Sequence, residues 1–125
     1  LNTVPERVRD YKYTLETKNY CTEHAERAVI FKALHNGLPT QGLTLYCTWG
    51  ACAECSRTII EFGIKRVVTL RRLVEASTAR WEDTIHNGLL MMKCSGINTV
   101  GWSGDLGTKY NIQFNGRVVG NEDLL

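Results

Sequence analysis

A chain of 125 residues, 43% hydrophobic and 22% charged, has the length of one domain and an ordinary globular composition, which excludes a disordered tail protein. Its formal charge is only +2, from 15 basic and 13 acidic residues, so no strong basic excess points to a nucleic acid partner. No apolar run approaches the roughly eighteen residues needed to span a bilayer, and no secretory leader is expected behind Leu1.

Residues 1–23 are polar, mixed in charge and contain Pro5, and they read as a long loop. Residues 25–35 (AERAVIFKALH) are good helix formers with apolar side chains at Ala28, Val29, Phe31, Ala33 and Leu34. So few polar positions remain that this helix is expected to be largely buried. Asn36, Gly37 and Pro39 end it. Residues 43–48 alternate, with Leu43, Leu45 and Cys47 on one face and Thr44, Tyr46 and Thr48 on the other, which predicts a strand. Helical spacing returns over 52–62, with Cys52, Cys55, Ile59 and Phe62 on one side and Glu54, Arg57 and Glu61 on the other; Gly63 closes it. Residues 64–70 form a β-rich run. A helix over 78–94, capped by Ser77 or Thr78, leads to Gly96 and a strand at 97–102. Asn115-Gly116 between two apolar runs predicts a terminal hairpin. Strands alternating with helices imply right-handed crossovers and an α/β sheet covered by helices. Tyr46 and Trp102 read as core residues, and His35 and His86 as surface or capping groups.

The five cysteines are Cys21, Cys47, Cys52, Cys55 and Cys94. An odd count in a chain of this size argues against a disulfide framework and for reduced thiols in a cytoplasmic setting. Cys47 and Cys94 lie within apolar patterns and read as small core residues. Cys52 and Cys55 form a C-x-x-C pair, which in a reducing compartment is a metal clip or a redox dithiol.

His24-Ala25-Glu26 opens one helix and Cys52-Ala53-Glu54-Cys55 opens the next. The 27 residues between His24 and Cys52 hold one helix and one strand. In an α/β sheet such helix starts lie outside the carboxyl ends of the strands, where ligands bind, so one imidazole and two thiolates can meet there. Three protein ligands suit zinc and leave a fourth tetrahedral position for water. Glu26, two residues past His24, is placed to move protons beside the metal rather than to share it. A rival set takes in Cys21 through Cys21-Thr22-Glu23-His24. That would make a closed Cys₃His structural zinc in a non-catalytic binding module, and it leaves Glu26 without a purpose. A redox dithiol explains neither His24 nor Glu26.

The combination H-x-E with C-x-x-C is the signature of zinc nucleobase deaminases. Over roughly residues 20–70 the chain resembles the cytidine/deoxycytidylate deaminase superfamily, and within it the dCMP/CMP deaminase branch. The likeness runs through His24-Ala25-Glu26-Arg27-Ala28, Gly42 to Trp49, Cys52 to Cys55, and Phe62 to Val68, and more weakly through Arg80-Trp81-Glu82 and Cys94 to Ile97. It implies a three-layer α-β-α sandwich with a mixed sheet. It also implies zinc on His24, Cys52 and Cys55, and Glu26 as the proton shuttle while zinc-activated water attacks C4 of cytosine. Asn2, in Leu1-Asn2-Thr3-Val4-Pro5, would bond the sugar, and the backbone at Ala25 would face the base carbonyl. Trp49, just past the strand and close to the metal half-site, either walls the base pocket or merely packs. The implied reaction is dCMP to dUMP plus ammonia, by a homo-oligomer, with nucleosides or nucleic acid as alternative substrates. The family has Pro before the first zinc cysteine where this chain has Ala51, a loss of about 1 kcal/mol at most. It also has a helix and two strands before the Asn2 region, so the polypeptide is expected to be longer. Lys65-Arg66, Arg71-Arg72 and the group Arg7, Arg9 and Lys12 are weighed as phosphate contacts; charged pairs of this kind are more often simply solvated.

Overall fold

A computed structural model describes residues 2–5, 8, 11, 14, 16–107, 112–114 and 117–119. In chain order the elements are α1 (Lys18–Cys21), α2 (Ala25–His35), β1 (Thr44–Tyr46), α3 (Ala53–Glu61), β2 (Arg66–Leu70), α4 (Arg71–Glu75), α5 (Ala79–Cys94), β3 (Asn98–Trp102), β4 (Ile112–Phe114) and β5 (Arg117–Val119). Strands β1, β2 and β3 lie side by side in that order, all parallel, so the α/β character expected from the sequence is present. The antiparallel component is the separate β4–β5 hairpin. Its Asn115-Gly116 turn lies outside the described residues.

The register aligns Leu45 with Val67 and Val67 with Thr99. Leu45 and Val67 share a core cluster with Ile30 of α2, Cys55 and Ile59 of α3, and Met92 of α5. The three long helices therefore cover one face of the sheet. Side chains alternate along a strand, so Tyr46, Val68 and Val100 point to the opposite face, where Tyr46 is 73% exposed. This corrects the reading of Tyr46 as core.

Two close approaches fix how the helices sit. Gly63 takes the left-handed conformation (φ 72°) that ends α3 and turns the chain into β2. Gly88 of α5 lies against the start of α3: a Cβ there would fall 2.5 Å from Ser56 Oγ and 2.8 Å from the Ala51 carbonyl oxygen. A bare backbone at Gly88 is what lets α5 press on the segment leading into Cys52.

Several expectations give way to tertiary structure. Helix α2 is not largely buried; within it only Ile30 is, while Val29 and Phe31 are 51% and 43% exposed. A helix lying on a sheet beside one other helix buries a single stripe, and apolar residues around the rest of its circumference stay outside. Cys94, at the end of α5, is exposed rather than core, and Leu43 and Phe62 also reach solvent. Residues 1–23 are not all loop. Helix α1 lies there, and Thr3 and Glu23 form an antiparallel bridge through both their N–H groups. Helix α4, at 71–75, went unseen because it is one short turn directly after a strand. Thr78 is the N-cap of α5 but bonds no backbone with its side chain, and the Ser77 hydroxyl instead donates to the Val74 carbonyl at 2.6 Å.

Candidate metal centre and substrate cleft

Helices α2 and α3 begin side by side. His24 is the N-cap of α2 and Cys52 the N-cap of α3, both in extended backbone that turns their side chains off the helix axes. The Cys52 sulfur accepts the Cys55 N–H at 3.5 Å, so a thiol does the work that a serine hydroxyl does in most caps. The next orphan donor, the Ala53 N–H, is taken by Thr84 Oγ1 of α5 at 2.9 Å.

His24 Nδ1 lies 3.5 Å from Cys52 Sγ and 3.5 Å from Cys55 Sγ. A tetrahedral ion with bonds of about 2.0–2.1 Å to nitrogen and about 2.3 Å to sulfur holds such atoms about 3.5–3.6 Å apart. The spacing and the donor chemistry fit zinc, and among the described residues His24, Cys52 and Cys55 form the one cluster of this kind. Cys21 is not part of it; its thiol points at the Lys18 carbonyl, 3.8 Å away. The four-ligand Cys₃His set is therefore not assembled. Glu26 stands beside the three donors but outside them, with Oε2 at 3.7 Å from Cys55 Sγ.

The two thiols behave as a pair. A hydrogen bond from the Cys55 thiol, helped by the Cys55 N–H and by His24, holds Cys52 down at about 5 against the opposing effect of burial. Cys55 keeps its proton, pushed far up by that same bond, by burial and by the charge of Glu26. Cys47, packed against the core, is pushed up to about 12, chiefly by burial and then by Glu26, and is no rival nucleophile.

A cleft of about 710 Å³ opens over these residues, lined among others by Asn2, His24, Glu26, Trp49, Cys52 and Trp81. The Trp81 ring stands edge-on to the His24 ring at 6.1 Å and to Trp49 at 5.6 Å. Trp49 is held from behind by its indole N–H, which donates to Ser77 Oγ at 2.8 Å. Asn2 reaches the cleft because the Thr3–Glu23 bridge ties its segment down, and its Oδ1 accepts the Ala25 N–H at 3.1 Å. Asn2 thus caps α2, and the Ala25 N–H is already engaged.

Among the described residues, Lys18 and Arg80 bring positive charge to the cleft, with Arg80 5.3 Å over the Trp81 ring. Neither was singled out from sequence as a contact, nor were Trp81 and Thr84; the Arg80-Trp81 stretch within the resemblance was the available signal. Lys65 and Arg66 sit at the amino end of β2, away from the helix starts, and Arg71 donates to the Gly101 carbonyl at 3.0 Å and lines a second, 450 Å³ cavity between α5 and the sheet. Arg7, Arg9 and Lys12 lie outside the described residues. None of the metal donors lines the second cavity.

A parallel α/β sheet with a histidine and two cysteines converging at helix starts, and a glutamate two residues beyond the histidine, defines the zinc site of the nucleobase deaminases. The model of the cytidine and deoxycytidylate deaminase zinc-binding region matches residues 6–71, and the chain belongs to that family. It is similar to the deoxycytidylate deaminase of Enterobacteria phage T2, 33% identical over 64 residues, which is 51% of this chain and 34% of the phage protein. ComE operon protein 2 of Bacillus subtilis (strain 168) is 41% identical over 46 residues, 37% of this chain and 24% of that protein. The chain therefore spans about a third or less of the curated relatives it matches. The crystal structure of dCMP deaminase from the cyanophage S-TIM5, in apo form, shares the fold, with a TM-score of 0.58 and 20% identity over 81% of this chain and 67% of that one.

Proposed function

We propose that this chain carries the site of a hydrolytic deaminase acting on a cytosine nucleotide, most directly dCMP, with uracil nucleotide and ammonia as products. The observation that carries the reading is the convergence of His24 Nδ1 with both C-x-x-C sulfurs at tetrahedral spacing, with the Glu26 carboxylate beside them. His24, Cys52 and Cys55 would hold zinc. Bound there, zinc supplies a Lewis acid that makes water acidic near neutral pH.

The remaining work falls to the chain's own side chains. Glu26 takes a proton from the attacking water and delivers it to N3 of the base, and then carries the remaining proton of the oxygen now bound to C4 to the departing amino group. Carbon 4 exchanges its C–N bond for a C–O bond, so water and cytosine become uracil and ammonia. Trp81 and Trp49 wall the cleft with flat, apolar surface suited to a planar base. Asn2 keeps its amide nitrogen for the sugar while its oxygen caps α2. Arg80, backed by Trp81, and Lys18 favour a phosphate over a neutral nucleoside.

The test is ammonia release from dCMP, CMP, deoxycytidine and single-stranded DNA by the zinc-loaded protein. Turnover of dCMP is the expected result, and action on single-stranded DNA alone overturns the substrate assignment. Glu26→Gln should retain zinc and lose at least about a hundredfold in kcat. Undiminished turnover by that variant removes Glu26 from its role.

A further inference from the structure

We infer that Arg27 is the positioning residue that locks the two halves of the metal centre to each other. Its place in α2 is one turn from His24, and its side chain is 23% exposed. Nε donates to Glu23 Oε1 at 2.6 Å, and the same carboxylate oxygen accepts the His24 N–H at 3.0 Å. Nη1 donates to Glu54 Oε2 at 3.1 Å, and Glu54 lies between the two cysteines on α3. One guanidinium therefore grips the residue before the histidine and the residue between the thiols. No backbone hydrogen bond joins those two segments directly among the described residues.

The purpose is spacing rather than bulk stability. Ion pairs this close to solvent add little to global folding. An ion bound by two separate segments, however, demands that nitrogen and sulfur be held within a few tenths of an ångström, and groups that orient metal ligands typically govern affinity by about 10–100-fold. The bridge also needs arginine specifically. Two nitrogens of a rigid fork address two carboxylates, Glu23 ahead of α2 and Glu54 on α3, which a single ammonium cannot do with the same geometry. The cation stands beside a site that gathers two sulfurs and the Glu26 carboxylate, so it offsets like charges that would push the halves apart.

The inference rests on the metal centre proposed above, and its test separates the two. Zinc affinity is measured by chelator competition on wild type, Arg27→Met, Arg27→Lys, Glu54→Gln and the Arg27→Met/Glu54→Gln double variant. The visible spectrum of each cobalt-substituted protein reports ligand geometry, and thermal unfolding of the zinc-free form reports the fold. Arg27→Met should weaken zinc binding at least about tenfold and shift the cobalt bands, with little change in the zinc-free melting temperature. Arg27→Lys should recover part of the affinity, and Glu54→Gln should add nothing in the Arg27→Met background. Wild-type zinc affinity and cobalt bands in a folded Arg27→Met overturn the inference, as does a loss of affinity that only tracks a lower zinc-free melting temperature. If Arg27→Met does not fold, Arg27→Lys and Glu54→Gln carry the test by the same readouts. If wild type itself binds no zinc, the metal centre fails rather than the bridge.

Discussion

Two sulfurs that share one proton set the terms on which the site accepts a cation. Cys52 is a thiolate down to about 5 because the Cys55 thiol donates to it, and Cys55 stays protonated for the same reason. Loading zinc must expel the Cys55 proton, so protons and metal compete. The sign is plain: fewer protons in solution favour the metal. Between about pH 6 and pH 8 the zinc association constant should rise with pH, with protons released as the ion binds. Competition titrations at three pH values, with proton release followed by a dye, check this; a flat profile would mean both thiols are already ionised. His24, Glu26, Cys52 and Cys55 were legible because their chemistry fixes short spacings along the chain. Arg27 and Trp81 were not, since the partners that give them meaning arrive through tertiary structure: Arg27 meets Glu54 from 27 residues away, and Trp81 meets His24 from another helix.

At the scale of elements, the start of α3 is held by α5. Thr84 takes the first free N–H of α3, and Gly88 leaves room for the Ala51 carbonyl and Ser56. Gly88→Ala should force these apart. The expected cost is about 1–3 kcal/mol in denaturant unfolding, with weaker zinc retention because Ala51 leads straight into Cys52. Normal stability with normal zinc content would show that the helices yield without disturbing the site. Local pattern and composition found every long helix and every strand of the parallel sheet, because each is long or apolar enough to bury a face. They misjudged α2 because composition shows how apolar a helix is, not how many neighbours it has. They passed over α4 and α1, whose four or five residues are too few to show a period.

The three long helices lie over one face of the parallel sheet, and both the flanks of α2 and the far face of the sheet present apolar groups to solvent. Phe31 on α2 meets Phe62 edge-on at 6.2 Å, with Val29 and Leu34 also exposed. We propose that the homo-oligomer expected from the family likeness uses the flank of α2 where Phe31 and Leu34 lie beside Phe62. Sedimentation velocity should find the wild type larger than one chain, and Phe31→Glu should shift it toward the monomer without unfolding it. A wild type that sediments as a single chain removes the proposal. No helix among the described residues is long and apolar enough to cross a membrane.

The wedge of Trp81 between imidazole and a second indole has a practical consequence. Two of the three tryptophans, Trp49 and Trp81, line the cleft, and the third, Trp102, packs against Leu70 and Leu73, as the back of Trp49 also does. Ultraviolet emission of the native protein is thus weighted toward the cleft. Cation uptake at the neighbouring imidazole, or a nucleobase sliding beside the rings, should quench or shift that glow, giving a label-free optical gauge of occupancy.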